Sequence, residues 1–448
     1  MAKKINNLNH LISFKTNNLK GEIAAPSDKS ISHRALLFSS LSIGLSKISN
    51  LLESDDVLNM VRALKSLGVK ITKSRKNWLI QGVGLTGFEE PTKKIDCGNS
   101  GTLVRILMGA LSSNNITVNL TGDQSLIKRP MDRIVEPLTS MGVNFITSNN
   151  KLPITIKGNS KLIPIKYKLP VSSAQIKTSI LLAGLNTMGI TEIIEPYTSR
   201  NHSENLLKYF GAKIKFNSTS SGVNRVLIEG GNILMAKQVN IPGDISSAAF
   251  TIVAASIIPN SKIRILNVGI NIYRIGILDA LELMGADIKK ENIRINEFNE
   301  PISDINVSYS KLKPLKLNKS FSSKMIDEYP ILAIAAATAT GKSVFRGLSE
   351  LRHKESDRFE AIIEGLNKCG VLTTSKNDDI IIHGNRNKIK GGVTIDCKYD
   401  HRIAMAFIIL GTISKKPIEV VGCNSIITSY PNFYDQMRYI GLNVEVKK

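Results

Sequence analysis

Cysteine is scarce in this chain: the 448 residues include four, at positions 97, 369, 397 and 423. They form no CxxC pair and no zinc-type spacing, so a disulfide scaffold and a zinc cluster are both set aside, and a reducing compartment keeps them as structural thiols. Long apolar runs are missing as well. The longest, such as YPILAIAAATATG at 329–341, falls below the ~20 residues a bilayer-spanning helix needs and is broken by polar groups, so it reads as a buried helix and no membrane partner is expected. The start, MAKKINNLNHLISFKTNNLKG, has neither the apolar core of a signal peptide nor the arginine-rich amphipathic character of a transit peptide, and a cytoplasmic location is expected. Acidic residues are in deficit: 37 Asp+Glu against 59 Lys+Arg give a net charge of +22. Such an excess suits nucleic acid or small anions. The lysines are spread along the chain among Asn and Ile, however, and mark out no basic stripe. Aromatic residues, at 5% with one tryptophan, are too few for the interleaving that base stacking requires, so no nucleic-acid partner is expected.

A chain of 49.1 kDa with 42% hydrophobic residues exceeds what one core usually supports, and two domains are expected. One pattern recurs along it: LKSLGVKI (64–71), LTSMGVNF (138–145), LKYFGAKI (207–214), LELMGADI (281–288), LNKCGVLT (366–373) and MRYIGLNV (437–444). Each copy reads as an amphipathic helix closed by glycine at the C′ position and followed by an alternating strand. Six copies predict six similar α/β modules, three on each side of IPGDISSAAF (241–250), where Pro and Gly interrupt the pattern and suggest a hinge. A cleft between two such domains is where ligands tend to bind.

Two nucleotide signatures fail on inspection. GVGLTG at 82–87 is followed by FEEPTKK, which does not open a helix, and ATATGKS at 337–343 lacks the first glycine of a phosphate-binding loop. Other stretches place small residues and cations at predicted strand-to-helix junctions, where anions are favoured. APSDKSISHRALL (25–37) brings Lys29, Ser30 and Arg34 to a helix start, with Ser30 and Arg34 on one face. DCGNSGTLVRILMG (96–109) offers Gly98, Gly101 and Arg105; GDQSLIKRPM (122–131) supplies Lys128 and Arg129 before a proline suited to a first helical turn. VSSAQIKTSILLAGL (171–185) begins with hydroxyls and an amide, and DHRIAMAFIIL (400–410) sets Arg402 against an almost wholly apolar helix. KESDR (354–358) alternates charge around one serine; the spacing puts Lys354 and Arg358 on one helical face with Glu355 beside them. Each stretch alone reads as a helix cap or a solvated ion pair. Together, in a chain without metal or nucleotide motifs, they point to small and highly negative ligands.

The set APSDKSISHRAL, GNSGTLVR, KRPMDR, SSAQIKTSILLAGL, SRNHSE, PGDISSAAF, MIDEYP, LRHKESDR, DHRIAM and SYPNF, in this order from about residue 14 to 435, resembles the 3-phosphoshikimate 1-carboxyvinyltransferases, or EPSP synthases, with a likeness to the class II bacterial branch. The resemblance implies a two-domain inside-out α/β barrel of six βαβαββ units. One domain would span 21–242 and the other would combine 1–20 with 243–448, with hinges near 20–26 and 241–246. The implied reaction moves the enolpyruvyl group of phosphoenolpyruvate onto the 5-hydroxyl of shikimate 3-phosphate and releases phosphate, through a tetrahedral intermediate, on the route to chorismate and the aromatic amino acids.

By the same resemblance, Ser30 and Arg34 would hold the shikimate carboxylate, Ser172, Ser173 and Arg200 would surround its phosphate, and Gln175 would lie against the ring. Lys29, Gly101, Arg129, Arg358 and Arg402 would grip phosphoenolpyruvate, with Asn99 and Thr102 shaping the loop and Gln175 also in reach. Asp327 would accept the hydroxyl proton, Glu355 would serve the methylene carbon, and Lys29 and Lys354 would steady developing charge, the two lysines and Asp327 also meeting shikimate 3-phosphate. Gly101 is the small residue of enzymes open to glyphosate, a phosphoenolpyruvate mimic. Thr428 stands where class I members have a lysine, which puts one phosphoenolpyruvate contact in question. No cofactor and no metal are implied, and a monomer is expected. Two other readings lack their required features. A UDP-N-acetylglucosamine enolpyruvyl transferase would need a cysteine in a mobile loop, whereas Cys97 directly precedes GNSGT; a basic RNA-binding repeat protein would need the missing aromatics.

Overall fold

The computed structural model describes residues 8–218 and 224–447. The chain divides into two compact units: Ser27–Pro242 with Ile295–Glu300 form the first, and Met1–Pro26, Gly243–Arg294 and Pro301–Lys448 form the second. Both are built from one module, a strand, helix, strand, helix and two further strands. In the module around GNSGT, strand Ile95–Asp96 leads through helix Gly101–Leu111 to the parallel strand Thr117–Thr121, a crossover that parallel pairing requires. Helix Asp132–Ser140 then leads to the antiparallel hairpin Asn144–Ser148 and Lys151–Lys157. Asn149 and Asn150 form its turn at φ 51° and 48°, the left-handed pair that a two-residue hairpin favours.

Among the described residues six four-stranded sheets repeat this order. In the first unit, Gln238–Asn240 supplies the parallel strand beside Ile43–Ser49. In the second, the start of the chain fills two places: Lys20–Ala24 pairs parallel to Lys262–Gly269, and His10–Ser13 lies between Lys416–Val421 and Val444–Val446. The six recurring glycines Gly68, Gly142, Gly211, Gly285, Gly370 and Gly441 all sit at positive φ, from 84° to 106°, just where the second helix of each module ends. A side chain there would be strained in the turn that feeds the next strand, which is why the mark is glycine each time. Neither GVGLTG nor Gly341 opens a helix; the latter begins strand Gly341–Phe345.

The first helix of each module is the buried one. Every residue of Ile245–Ile257 and of His401–Gly411 is buried, and helix Tyr329–Thr338 carries the alanine-rich run of the longest apolar stretch. No helix among the described residues is long and apolar enough to cross a membrane. Close helix approach has a consequence for the helix starts. A Cβ on Gly109 would stand 2.2 Å from the Ser179 carbonyl oxygen, so helices Gly101–Leu111 and Ala174–Gly184 touch at backbone distance. In the second unit a Cβ on Gly365 would strike the Phe407 ring at 2.1 Å, which packs helix Arg358–Lys368 onto His401–Gly411. Polar side chains at the N-termini of these pairs are thereby brought together.

Candidate active site

In the first unit three helix starts meet. Asp28 caps helix Lys29–Ser40 by accepting from the Ile31 amide at 2.7 Å, which sets Lys29 and Ser30 in the first turn. Lys29 Nζ lies 2.9 Å from Asp56 Oδ2, and Ser30 Oγ accepts from Arg200 Nη1 at 3.0 Å. Ser100 caps helix Gly101–Leu111, accepting from the Leu103 amide at 3.2 Å. Gln175 bridges to it: Nε2 donates to Thr102 Oγ1 at 3.0 Å, and Oε1 accepts from Arg105 Nη1 at 2.8 Å. Asn99 Oδ1 accepts from Arg129 Nη2 at 2.6 Å while its Nδ2 donates to Asp123 Oδ2 at 2.6 Å. Ser173 caps helix Ala174–Gly184, and the Ser172 hydroxyl both donates to the Tyr197 carbonyl at 2.7 Å and accepts from its amide at 3.0 Å. His33 is buried, with Nε2 3.5 Å from Ser100 Oγ; burial, then the charges of Lys29 and Arg34, hold its pKa well below the usual 6.5, so the imidazole is neutral. Cationic donors at several helix N-termini make a receptor for anions.

In the second unit a separate cluster centres on Asp327. Its Oδ1 accepts from Arg358 Nη1 at 3.2 Å and lies 3.1 Å from Lys354 Nζ. Arg358, 1% exposed, forks onto Asp400, with Nε donating to Oδ2 at 2.8 Å and Nη2 to Oδ1 at 3.2 Å, and Nη2 also reaches Glu355 Oε2 at 2.6 Å. Burial works against that guanidinium's charge, but Asp400, Glu355 and Asp327 outweigh it and push the pKa above the ordinary arginine value. Asp400 also caps helix His401–Gly411 by accepting from the Arg402 amide at 2.9 Å. Arg402 Nη1 donates to the Asp327 carbonyl at 3.0 Å and lies 3.4 Å from Glu328 Oε1. A carboxylate flanked by two fixed cations, with a second carboxylate on the same arginine, is equipped for proton transfer next to an anion.

The sequence profile described as EPSP synthase (3-phosphoshikimate 1-carboxyvinyltransferase) matches residues 14–437. This chain belongs to the EPSP synthase family. Proteins named 3-phosphoshikimate 1-carboxyvinyltransferase from Rhodospirillum rubrum and Coxiella burnetii are 42% and 44% identical to it over 96% and 95% of the chain and 96% of each relative. Among solved structures, an EPSP synthase from Acinetobacter baumannii superposes with a TM-score of 0.86 at 38% identity, covering 98% of this chain and 100% of that one. An enolpyruvyl transferase of Streptomyces tendae, at 15% identity and a TM-score of 0.77 over 97% and 98% of the two chains, shares the fold.

Two expectations drawn from spacing differ in the structure. Helix Arg358–Lys368 begins only after KESD, with Asp357 as its cap accepting from the Glu360 amide at 3.1 Å, and Lys354 follows the 3-10 turn Ser349–His353. Lys354 and Arg358 therefore share no helical face; they converge on Asp327 through the loop, because an aspartate at the cap position holds the backbone out of the helix. Pro130 likewise lies outside helix Asp132–Ser140, two residues before it, and its carbonyl accepts from Arg105 Nη2 at 3.4 Å. Arg34 does share a face with Ser30 but is 1% exposed: it donates to the Ser30 carbonyl at 3.0 Å, to Ser203 Oγ at 2.7 Å and to Thr178 Oγ1 at 2.9 Å. It braces Ser30 from below the helix start. Thr428 donates to the Ser425 carbonyl of its own turn at 2.7 Å. Sequence does not reveal Asp56, Glu328 and Asp400 as partners, since nothing local marks which distant acid will meet which cation; Arg105, at its helix start, takes its meaning from Gln175.

Proposed function

We propose that this chain is a 3-phosphoshikimate 1-carboxyvinyltransferase, moving the enolpyruvyl group of phosphoenolpyruvate to the 5-hydroxyl of shikimate 3-phosphate with release of phosphate. The observation that carries the reading is the Asp327 carboxylate held at 3.1 Å from Lys354 Nζ and 3.2 Å from Arg358 Nη1. Family membership supplies the substrates. Ser172, Ser173 and Arg200 would receive the phosphate of shikimate 3-phosphate, Ser30 and Arg34 would hold its carboxylate, and Gln175 would lie against the ring. By family membership Lys29, Asn99, Gly101, Thr102, Arg129, Arg358 and Arg402 would meet phosphoenolpyruvate, since guanidinium forks match both phosphate and carboxylate.

In the addition step Asp327 would take the 5-hydroxyl proton as the oxygen attacks C2 of phosphoenolpyruvate, while Glu355 would deliver a proton to the methylene carbon. In the elimination step Glu355 would take a proton back from that methyl group as the double bond re-forms and phosphate departs. Lys29 and Lys354 would stabilise the charge that builds on the transferred group and the leaving phosphate. The reading takes the enzyme as a cytoplasmic monomer; four buried free thiols suit a reducing compartment. A UDP-N-acetylglucosamine transferase is not favoured, because Cys97 is buried and its thiol is pushed up by burial and then by Asp96, which leaves it unreactive. Phosphate release with both substrates, absent when either is omitted and lost in Asp327→Ala and Lys29→Ala, tests the assignment. Turnover of UDP-N-acetylglucosamine in place of shikimate 3-phosphate would redirect it.

A further inference from the structure

Lys177 is fully buried on helix Ala174–Gly184, a place where a lone ammonium would be strongly disfavoured. Its Nζ lies 3.0 Å from Glu195 Oε2 and 2.6 Å from Glu204 Oε1, both also buried. Burial opposes the charge, but Glu204 and Glu195 outweigh it and raise the Lys177 pKa, so one ammonium stands between two acids. A core that needed only stability would do as well with apolar side chains, so this cluster calls for a reason. It holds a single residue on three sides. Glu195 Oε1 accepts from the Ser199 amide at 3.3 Å and from the Ser199 hydroxyl, and Lys177 Nζ donates to the Ser199 carbonyl at 3.4 Å. The next residue, Arg200, sends Nη1 to Ser30 Oγ at 3.0 Å.

We propose that Lys177 is a positioning residue: through Glu195 and Ser199 it fixes the loop backbone and so aims the Arg200 guanidinium at the phosphate of the bound substrate. The inference rests on the proposed function for the identity of that phosphate. Two variants separate aiming from folding. The triple substitution Lys177→Met, Glu195→Gln, Glu204→Gln neutralises the cluster at nearly constant volume, and Ser199→Ala removes one hold alone. KM for shikimate 3-phosphate should rise about tenfold in the triple and about threefold in Ser199→Ala, with kcat and KM for phosphoenolpyruvate within about twofold of the parent. A crystal structure of the triple should show Arg200 displaced from Ser30 Oγ. An unchanged KM for shikimate 3-phosphate in the folded triple, or an Arg200–Ser30 contact kept intact, overturns the proposal; should the triple not fold, the threefold shift in Ser199→Ala decides. If the parent protein turns over neither substrate, the function reading fails instead, and the Arg200 position in the crystals still judges the aiming role.

Discussion

Replacing Gly101 with alanine adds one methyl where two guanidinium groups already stand. The new Cβ would lie 3.1 Å from Arg129 Nη1 and 3.2 Å from Arg105 Nη1, so both heads must give way by a few tenths of an ångström. Neither is free to do so without loss, because Arg129 is bonded to Asn99 at 2.6 Å and Arg105 to Gln175 at 2.8 Å. Full loss of a charge-assisted bond costs about 1.5–3 kcal/mol, and a partial displacement about 1 kcal/mol, or roughly fivefold in affinity. The backbone itself has no objection: Gly101 is at an ordinary φ in the first turn of a helix, where alanine is the better residue by up to about 1 kcal/mol. The two effects therefore have opposite signs. In Gly101→Ala, KM for phosphoenolpyruvate and the inhibition constant of glyphosate should rise about fivefold, KM for shikimate 3-phosphate should rise less, through the Arg105–Gln175 bond alone, and the urea midpoint should hold or increase. An unchanged KM for phosphoenolpyruvate, or a parallel rise for both substrates with a lower midpoint, would refute the reasoning.

Asp327→Asn keeps the shape of the side chain but cannot accept a proton; kcat should fall by about 10²–10⁴ while shikimate 3-phosphate binding by calorimetry persists. Asp400→Asn leaves Arg358, 1% exposed, without its buried fork, so unfolding free energy should drop by about 3–5 kcal/mol in urea titrations. His33 is held neutral by burial, so the unfolded chain takes up a proton below pH 6.5 that the folded chain refuses. Stability contributed by this group is complete above pH 6.5 and is lost as pH falls toward the depressed folded pKa, at up to about 1.4 kcal/mol per pH unit. His33→Asn should flatten the stability profile between pH 7 and 5 relative to the parent, and equal slopes in the two proteins would contradict the assignment.

The module count was legible because it rests on local chemistry. A glycine forced to positive φ after an amphipathic helix is a property of about eight neighbouring residues, and it recurs at Gly68, Gly142, Gly211, Gly285, Gly370 and Gly441. The interleaving of the chain ends was less so: nothing in HLIS marks it as the strand between Lys416–Val421 and Val444–Val446, because that place is set by partners over 400 residues away. The site shows the same division. Caps such as Ser100, Ser173 and Asp400 act within three residues and follow from sequence, whereas Lys29–Asp56 and Arg358–Asp400 are pairings made by the packing of helices. The spacing in KESDR misled because period alone says nothing about where a helix begins; Asp357 does, and it lies one residue before Arg358.

The net charge of +22 also takes on a different meaning at the level of single groups. The cations proposed to meet substrate do not stand as an unbalanced patch. Lys29 is held by Asp56, Lys354 by Asp327, Arg358 by Asp400, Asp327 and Glu355, and Arg402 by Glu328. Each acid fixes its cation's position without consuming all of its donors, and like-charge repulsion among the arginines is reduced before any ligand arrives. A substrate bearing both phosphate and carboxylate then meets donors already oriented, which limits the side-chain entropy lost on binding. The lysine surplus spread over the rest of the surface adds a long-range attraction that salt screens beyond about 8–10 Å. Affinity from the oriented donors and attraction from the diffuse surplus should thus respond differently to ionic strength: added salt should weaken association rate far more than it weakens the contacts within the site.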